Sequence, residues 1–181
     1  MLIDRIVGAF TFKKGVYASA ANDATFTNSA WLIVMVAVLL SQVGSRASSS
    51  IGFFHWLLGT LLNTVIGVGA FAVGAYVIKW LAGALYKVNV TFEQIVRSLG
   101  LSYIWKVIGL IGIISVIPFL VCISAPIRIL DILVAFAAAL FAIKETTNME
   151  WLNTVVVTVI ATIIGLIIAI LFSTVFGLIG L

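Results

Sequence analysis

The spacing of charge constrains this chain more than any other feature. Its charged residues stand in small groups, and the runs between them are long. They cover 22 residues from Ala24 to Ser45, 32 from Ala47 to Ile78, 21 from Val107 to Ile127 and 31 from Trp151 to Leu181. A helix needs about 20 apolar residues to cross a hydrocarbon core about 30 Å thick. All four runs have that length. Neither of the two longest holds two spans and a turn, because two minimal spans take roughly 34 residues. Tilt, or an extension beyond the bilayer, takes up the excess. Composition agrees: 64% of the 181 residues are hydrophobic and 9% are charged. Soluble domains carry about 45–50% and about 25%. So little charge cannot cover so much apolar surface, which excludes a soluble globular domain and a disordered chain.

A fourth crossing fits between the third and the last run. Only 12 residues separate Asp131 from Lys144, but a helix from Pro126 to Thr146 reaches spanning length, with proline in its favoured first-turn place. Arg128 and Asp131 then stand at i,i+3 spacing in the first turns and form an interfacial ion pair. The rival reading of this stretch is a re-entrant or interfacial hairpin. The fold class is therefore all-α, a multi-pass transmembrane bundle. Its five spans, near residues 30–45, 53–79, 103–124, 126–146 and 151–178, form a single domain over 1–181.

Basic residues orient that bundle. With the N-terminus inside, eight fall on the inner side (Arg5, Lys13, Lys14, Lys79, Lys87, Arg97, Lys106, Lys144) and two on the outer (Arg46, Arg128). That asymmetry is a positive-inside signal, and it leaves the C-terminus outside. Trp31, Trp56, Trp80, Trp105 and Trp151 fall near span ends, where indole rings favour the headgroup level.

Two stretches read as amphipathic helices at the inner interface. Residues 1–29 are interrupted by charge too early for a signal peptide. Leu2, Ile3, Ile6, Val7 and Phe10 recur at helical spacing, with Asp4 and Arg5 turned away. Between the second and third spans, Thr91 and Gln94 have capping-box spacing, and Phe92, Ile95, Val96 and Leu99 follow on one face.

Residues able to form a site are scarce: one His (His55), one Cys (Cys122) and six acids. No nucleophile–base pair, metal-spaced set or phosphate-binding glycine loop is present. The sequence therefore predicts no catalytic residue, cofactor or metal, and a protein that is not an enzyme. No continuous basic tract suits nucleic acid. The predicted partners are the lipid bilayer and other membrane proteins, in a homo-oligomer or a larger complex. Two features point to contacts. Ala161, Gly165, Ala169, Ser173 and Gly177 recur every four residues in the last span and predict a close helix–helix approach. Phe92, Glu93, Ile95, Val96 and Arg97 form a candidate partner surface on the second amphipathic helix. Asn63, Thr64, Ser115, Pro118, Thr158 and Thr162 are the only candidates at span depth for lining a transport path.

These features also stand in a telling order. LIDRIVGAF leads through NDATFTNSA into the first span, and the second span ends in KWLAGAL. The segment TFEQIVRSLGLSYIWK follows, then a span containing Pro118, a span ending in FAIKETTNM and an uncharged last span. This order resembles the YIP (Ypt/Rab-interacting protein) family of five-span membrane proteins in its short prokaryotic form. The resemblance runs over nearly the whole chain, and Phe92–Gly100 and Ile143-Lys144-Glu145 carry it most. It implies a non-enzymatic scaffold, membrane-organising protein or accessory subunit of a bacterial or archaeal plasma membrane. Asp23 departs from the family, since Ala24 follows it where members often have Asp-Pro. The long cytosolic region of eukaryotic members has no counterpart here, so Rab binding is not carried over. The alternative function is a small membrane transporter or channel.

Overall fold

A computed structural model describes residues 2–46, 52–116 and 121–178, except the side chains at 112–116, 121–125, 128, 169, 172–173 and 175–178. Among the described residues the chain is mostly helical, with no strand. Seven α-helices follow in order: α1 (Leu2–Phe10), α2 (Val16–Asn22), α3 (Thr27–Arg46), α4 (Phe53–Tyr86), α5 (Phe92–Ser102), α6 (Val121–Thr147) and α7 (Trp151–Leu178). A 3-10 turn, Ala24–Phe26, joins α2 to α3, and a 3-10 helix, Tyr103–Val116, continues directly from α5.

Local chemistry sets several boundaries. Asp23 opens the 3-10 turn by accepting from the Thr25 amide at 3.0 Å. The capping box at α5 forms in both directions: the Gln94 amide donates to Thr91 Oγ1 at 3.2 Å, and the Thr91 amide to Gln94 Oε1 at 2.9 Å. Lys87, at φ 55°, ends α4, and the next amide, of Val88, reaches back to the Ala82 carbonyl at 3.1 Å. Asn148, at φ 53°, ends α6 in the same left-handed way, which asparagine tolerates better than most residues.

Three of the described helices are long and apolar enough to cross a membrane: Ala24–Arg46, Phe53–Tyr86 and Trp151–Ile168. Their surfaces face mostly away from the protein, since only 17% of the most apolar stretch of α4 and 22% of that of α7 is buried. Leu61, Val65 and Val73 on α4 and Ile163, Leu166 and Ile170 on α7 are exposed. Water would penalise such apolar faces, whereas lipid accommodates them. The chain is thus a helical bundle of membrane-protein character.

The five-span expectation needs correction in its details, because three helices, not five, meet the length and hydropathy requirement among the described residues. Residues 103–116 of the expected third span wind as a 3-10 helix, and Pro118 lies outside the described residues. The fourth segment begins at Val121, five residues ahead of Pro126, so the proline sits inside α6 and not in its first turn. Asp131 consequently moves from the helix start into its third turn. The second span does not stop at Lys79 but continues to Tyr86. At about 1.5 Å per residue its 34 residues rise about 51 Å, well beyond a hydrocarbon core of about 30 Å.

Helix α3 lies at the centre, packed against α4, α5 and the 3-10 helix. The face it buries is made of small and branched residues: Ala30, Val34, Ala37, Val38 and Gly44. Three close approaches at this helix leave no room for a side chain. A Cβ added at Gly100 would lie 2.9 Å from Ala30 Cβ, and one added at Gly109 would lie 2.7 Å from Ser41 Oγ. A Cβ at Gly44 would collide with the Gly109 carbonyl oxygen. Close backbone approach through small residues is how helices associate where lipid removes any hydrophobic drive.

Candidate functional site

The polar side chains gather at one end of the bundle, where α1, α2, α5, the start of the 3-10 helix and the α6–α7 connection meet. Helix α2 shows how this junction is built. It has seven residues, too few to satisfy its own termini, and begins after Gly15 at φ 83° with no side-chain cap from its own neighbours. Glu145, at the far end of α6, supplies the cap. Its carboxylate accepts from the amides of Gly15 at 2.7 Å, Tyr17 at 3.0 Å and Ala18 at 3.3 Å. At the other end of α2 the Ala21 carbonyl accepts from Arg97 Nη1 at 2.9 Å. A carboxylate therefore meets the positive end of the helix dipole and a guanidinium the negative end. Two helices distant in sequence hold α2 between opposite charges.

Arg97 is the hub of this junction. It is 6% exposed. Its Nε donates to Thr27 Oγ1 at 2.7 Å and its Nη2 to Glu93 Oε2 at 2.7 Å. One side chain thus ties α5 to α2 and to the start of α3. Beside it Arg5 pairs with Asp23 at 2.8 Å and lies 5.0 Å from the centre of the Phe26 ring. The Thr25 hydroxyl on Asp23, and then Arg5, hold its carboxyl below the usual range. Tyr17 is fully buried, and its hydroxyl has no hydrogen-bond partner. Burial, and then the nearby Glu145 carboxylate, push its ionisation upward, so it stays a neutral phenol.

Aromatic rings form the level beneath. Trp105 meets Phe10 edge-on at 4.9 Å and stacks on Phe12 at 5.4 Å, and its Nε1 donates to the Ala9 carbonyl at 3.3 Å. Phe141 links Phe12 to Trp151, each 5.4 Å away. The Lys106 ammonium stands 4.7 Å from the Tyr103 ring centre and that of Lys144 6.0 Å from Trp151. Lys144 also donates to the Met149 carbonyl.

The residues singled out from sequence are placed as follows. Of the candidate partner surface, Ile95, Val96 and Arg97 are buried inside the chain itself, Phe92 is half-buried, and Glu93 alone is exposed. That surface is corrected to an internal joint: the apolar face of α5 packs against α2 and α3, and its arginine bonds inward. Of the small-residue stripe, Ala161 is buried, whereas a Cβ added at Gly165 would meet no described atom within 4 Å. The side chains of Ala169, Ser173 and Gly177 lie outside the described residues. The Arg128 side chain does as well, and Asp131 Oδ1 is buried with no hydrogen-bond partner. The expected interfacial ion pair therefore falls outside the described residues.

The polar residues considered for a transport path bond to their own helices. Thr64 Oγ1 donates to the Thr60 carbonyl at 2.8 Å, Asn63 Nδ2 to that of Gly59 at 2.8 Å, and Thr162 Oγ1 to that of Thr158 at 2.7 Å. The Ser115 side chain and Pro118 lie outside the described residues. His55 is exposed at the opposite end of the bundle. No group of three His, Cys, Asp or Glu able to hold a metal occurs among the described residues. Sequence reasoning missed the Glu145–α2 clamp and the small face of α3. The only signals were a lone glutamate at the end of an apolar run and the spacing of Ala30, Ala37, Ser41 and Gly44. No family model matches the chain, and no curated protein or solved structure matches it.

Proposed function

We propose that this protein is a non-enzymatic integral membrane scaffold or accessory subunit of the YIP type, with five spans and its N-terminus inside. The observation that carries this reading is the use made of the polar side chains. Arg97, Glu145, Asp23 and Thr27 bind the chain's own helices together at one end of the bundle. The long faces left outside are apolar. Such a molecule has much lateral surface for neighbouring helices and a rigid headgroup-level platform.

Geometry also supports the two further crossings. The 27 residues of α6 rise about 40 Å and the 14 of the 3-10 helix about 28 Å. The junction gathers the start of α3, the whole of α5 and the end of α6. The Trp56 indole meets the Arg46 carbonyl at 3.1 Å at the other end. Cysteines replacing Lys144 and Arg128 in a Cys122→Ser chain, labelled with an impermeant reagent in sealed vesicles, test the topology. Labelling of both from one side refutes the crossing by α6. The scaffold role is tested by extracting the full chain from its own membrane in mild detergent. Native mass spectrometry should then find it with a second membrane protein in fixed stoichiometry.

Asp131 favours a second reading, a small transporter or channel. A half-buried ionisable side chain on an apolar helix, with one buried oxygen unpartnered, is a functional candidate by position. Ion flux in proteoliposomes holding this chain alone, lost in Asp131→Asn, would replace the scaffold by this alternative.

A further inference from the structure

Helix α1 is amphipathic, with its apolar stripe turned away from the rest of the protein. The sequence reads it as a helix at the inner interface, with Asp4 and Arg5 turned away from the stripe of Leu2, Ile3, Ile6, Val7 and Phe10. The structure places Arg5 on the protein side, paired with Asp23 and against Phe26. Gly8 and Ala9 are buried on that same side, where a Cβ at Gly8 would lie 2.9 Å from Val16 Cγ2. The apolar stripe faces outward: Ile3 is 73% and Val7 54% exposed, and Phe10 is exposed beside them. A helix that turns its guanidinium inward and its isoleucine and valine outward is not built to face water.

The depth of α1 is also set. Its end abuts Trp105, which belongs to the ring cluster with Phe12, Phe141 and Trp151. Aromatic clusters at the ends of apolar helices mark the headgroup level. The turn that follows α1 carries Lys13 and Lys14, both exposed. An outward apolar stripe, followed within one turn by two exposed ammonium groups, matches the boundary between acyl chains and anionic headgroups.

We propose that the Ile3–Val7–Phe10 face of α1 inserts into the lipid boundary, and that Lys13 and Lys14 bind anionic phospholipid headgroups beside it. Helix α1 with the turn after it is then a lipid-binding element and not a protein-docking one. It reads the charge of one leaflet and transmits that contact through Arg5–Asp23 and Trp105 to the rest of the junction. The inference uses the membrane character of α3, α4 and α7 but not the scaffold role, so it stands or falls separately.

The test uses the full chain with Cys122→Ser and a single cysteine at position 3 or 7 (Ile3→Cys or Val7→Cys), carrying a fluorescent label. The chain is reconstituted in vesicles of phosphatidylcholine alone, or of equal parts phosphatidylcholine and phosphatidylglycerol. Lipids bearing a nitroxide near the headgroup should quench both labels in the mixed vesicles, and aqueous iodide should not. At about 1 kcal/mol per lysine near an anionic surface, each lysine contributes about fivefold to the preference for the anionic lipid. Lys13→Gln with Lys14→Gln should therefore reduce that preference well over tenfold while the fold is retained. Three results overturn the proposal. One is iodide quenching at positions 3 and 7 as free as that of the dye in solution. Another is excimer emission between pyrene labels on two chains, which would assign the face to a second copy. The third is identical lipid quenching in both vesicle types, unaffected by the lysine changes, which removes the headgroup site.

Discussion

Removing Arg97 tests the central claim about the junction, because its three hydrogen bonds are unequal. The Glu93 bond is an i,i+4 pair whose carboxylate is 65% exposed, so water replaces the arginine readily there. Such pairs contribute about 0.3–0.5 kcal/mol. The bond to the Ala21 carbonyl is buried, and the one to Thr27 is part-buried. Hydrogen bonds to a charged group are worth roughly 1.5–3 kcal/mol each, and a buried carbonyl left without a donor adds its own desolvation penalty. Arg97→Ala should therefore cost about 3–5 kcal/mol. Arg97→Lys, whose single ammonium cannot span the two directions, should lose roughly 1.5–3 kcal/mol. Glu93→Ala should lose about 0.5 kcal/mol or less. Unfolding by SDS in mixed micelles, followed by tryptophan fluorescence, ranks the three variants. A Glu93→Ala cost equal to that of Arg97→Ala, or an Arg97→Ala cost under about 1 kcal/mol, refutes the reasoning. In either case Arg97 would be a surface ion-pair residue and not an internal tie.

Three further outcomes follow from the same geometry. Gly100→Val, forced against Ala30, should destabilise the fold by about 1–3 kcal/mol or more; in the same SDS assay Gly165→Leu should change monomer stability by less than about 0.5 kcal/mol, since no described atom stands near it. Glu145→Ala should cost about 1–2 kcal/mol and Glu145→Gln less, because an amide oxygen still accepts one bond. Hydrogen exchange should show the loss of protection confined to the amides of residues 15–18, and uniform loss over the chain would contradict the clamp. Asp23 ionises below its ordinary value of 3.8, so its contribution is complete above that pH and disappears as pH falls through the lower folded value. The difference in Tm between the wild type and Asp23→Asn should therefore be constant near neutrality and vanish in acid; a difference that grows in acid would reverse the sign.

Sequence alone determines whatever depends on composition and on neighbours within one or two turns. The uncharged runs make α3, α4 and α7 apolar helices of spanning length, since no other structure satisfies backbone groups in lipid. The capping box at Thr91 and Gln94 is equally local, and it starts α5 where the spacing predicts. What a helix packs against is another matter. In water an amphipathic pattern shows which face is buried, but α4 and α7 are apolar all round and carry no such signal. The small residues of α3 carry no sequence signal that sets them apart, and only the arrangement of the bundle brings Ala30 and Gly44 to Gly100 and Gly109. Likewise Arg97 and Glu145 read as an exposed charge and a span exit. They become the two ends of a clamp because tertiary structure carries them 76 and 130 residues along the chain to the termini of α2. A seven-residue helix leaves most of its backbone groups unsatisfied, and those unmet bonds, invisible in any local pattern, select the partners.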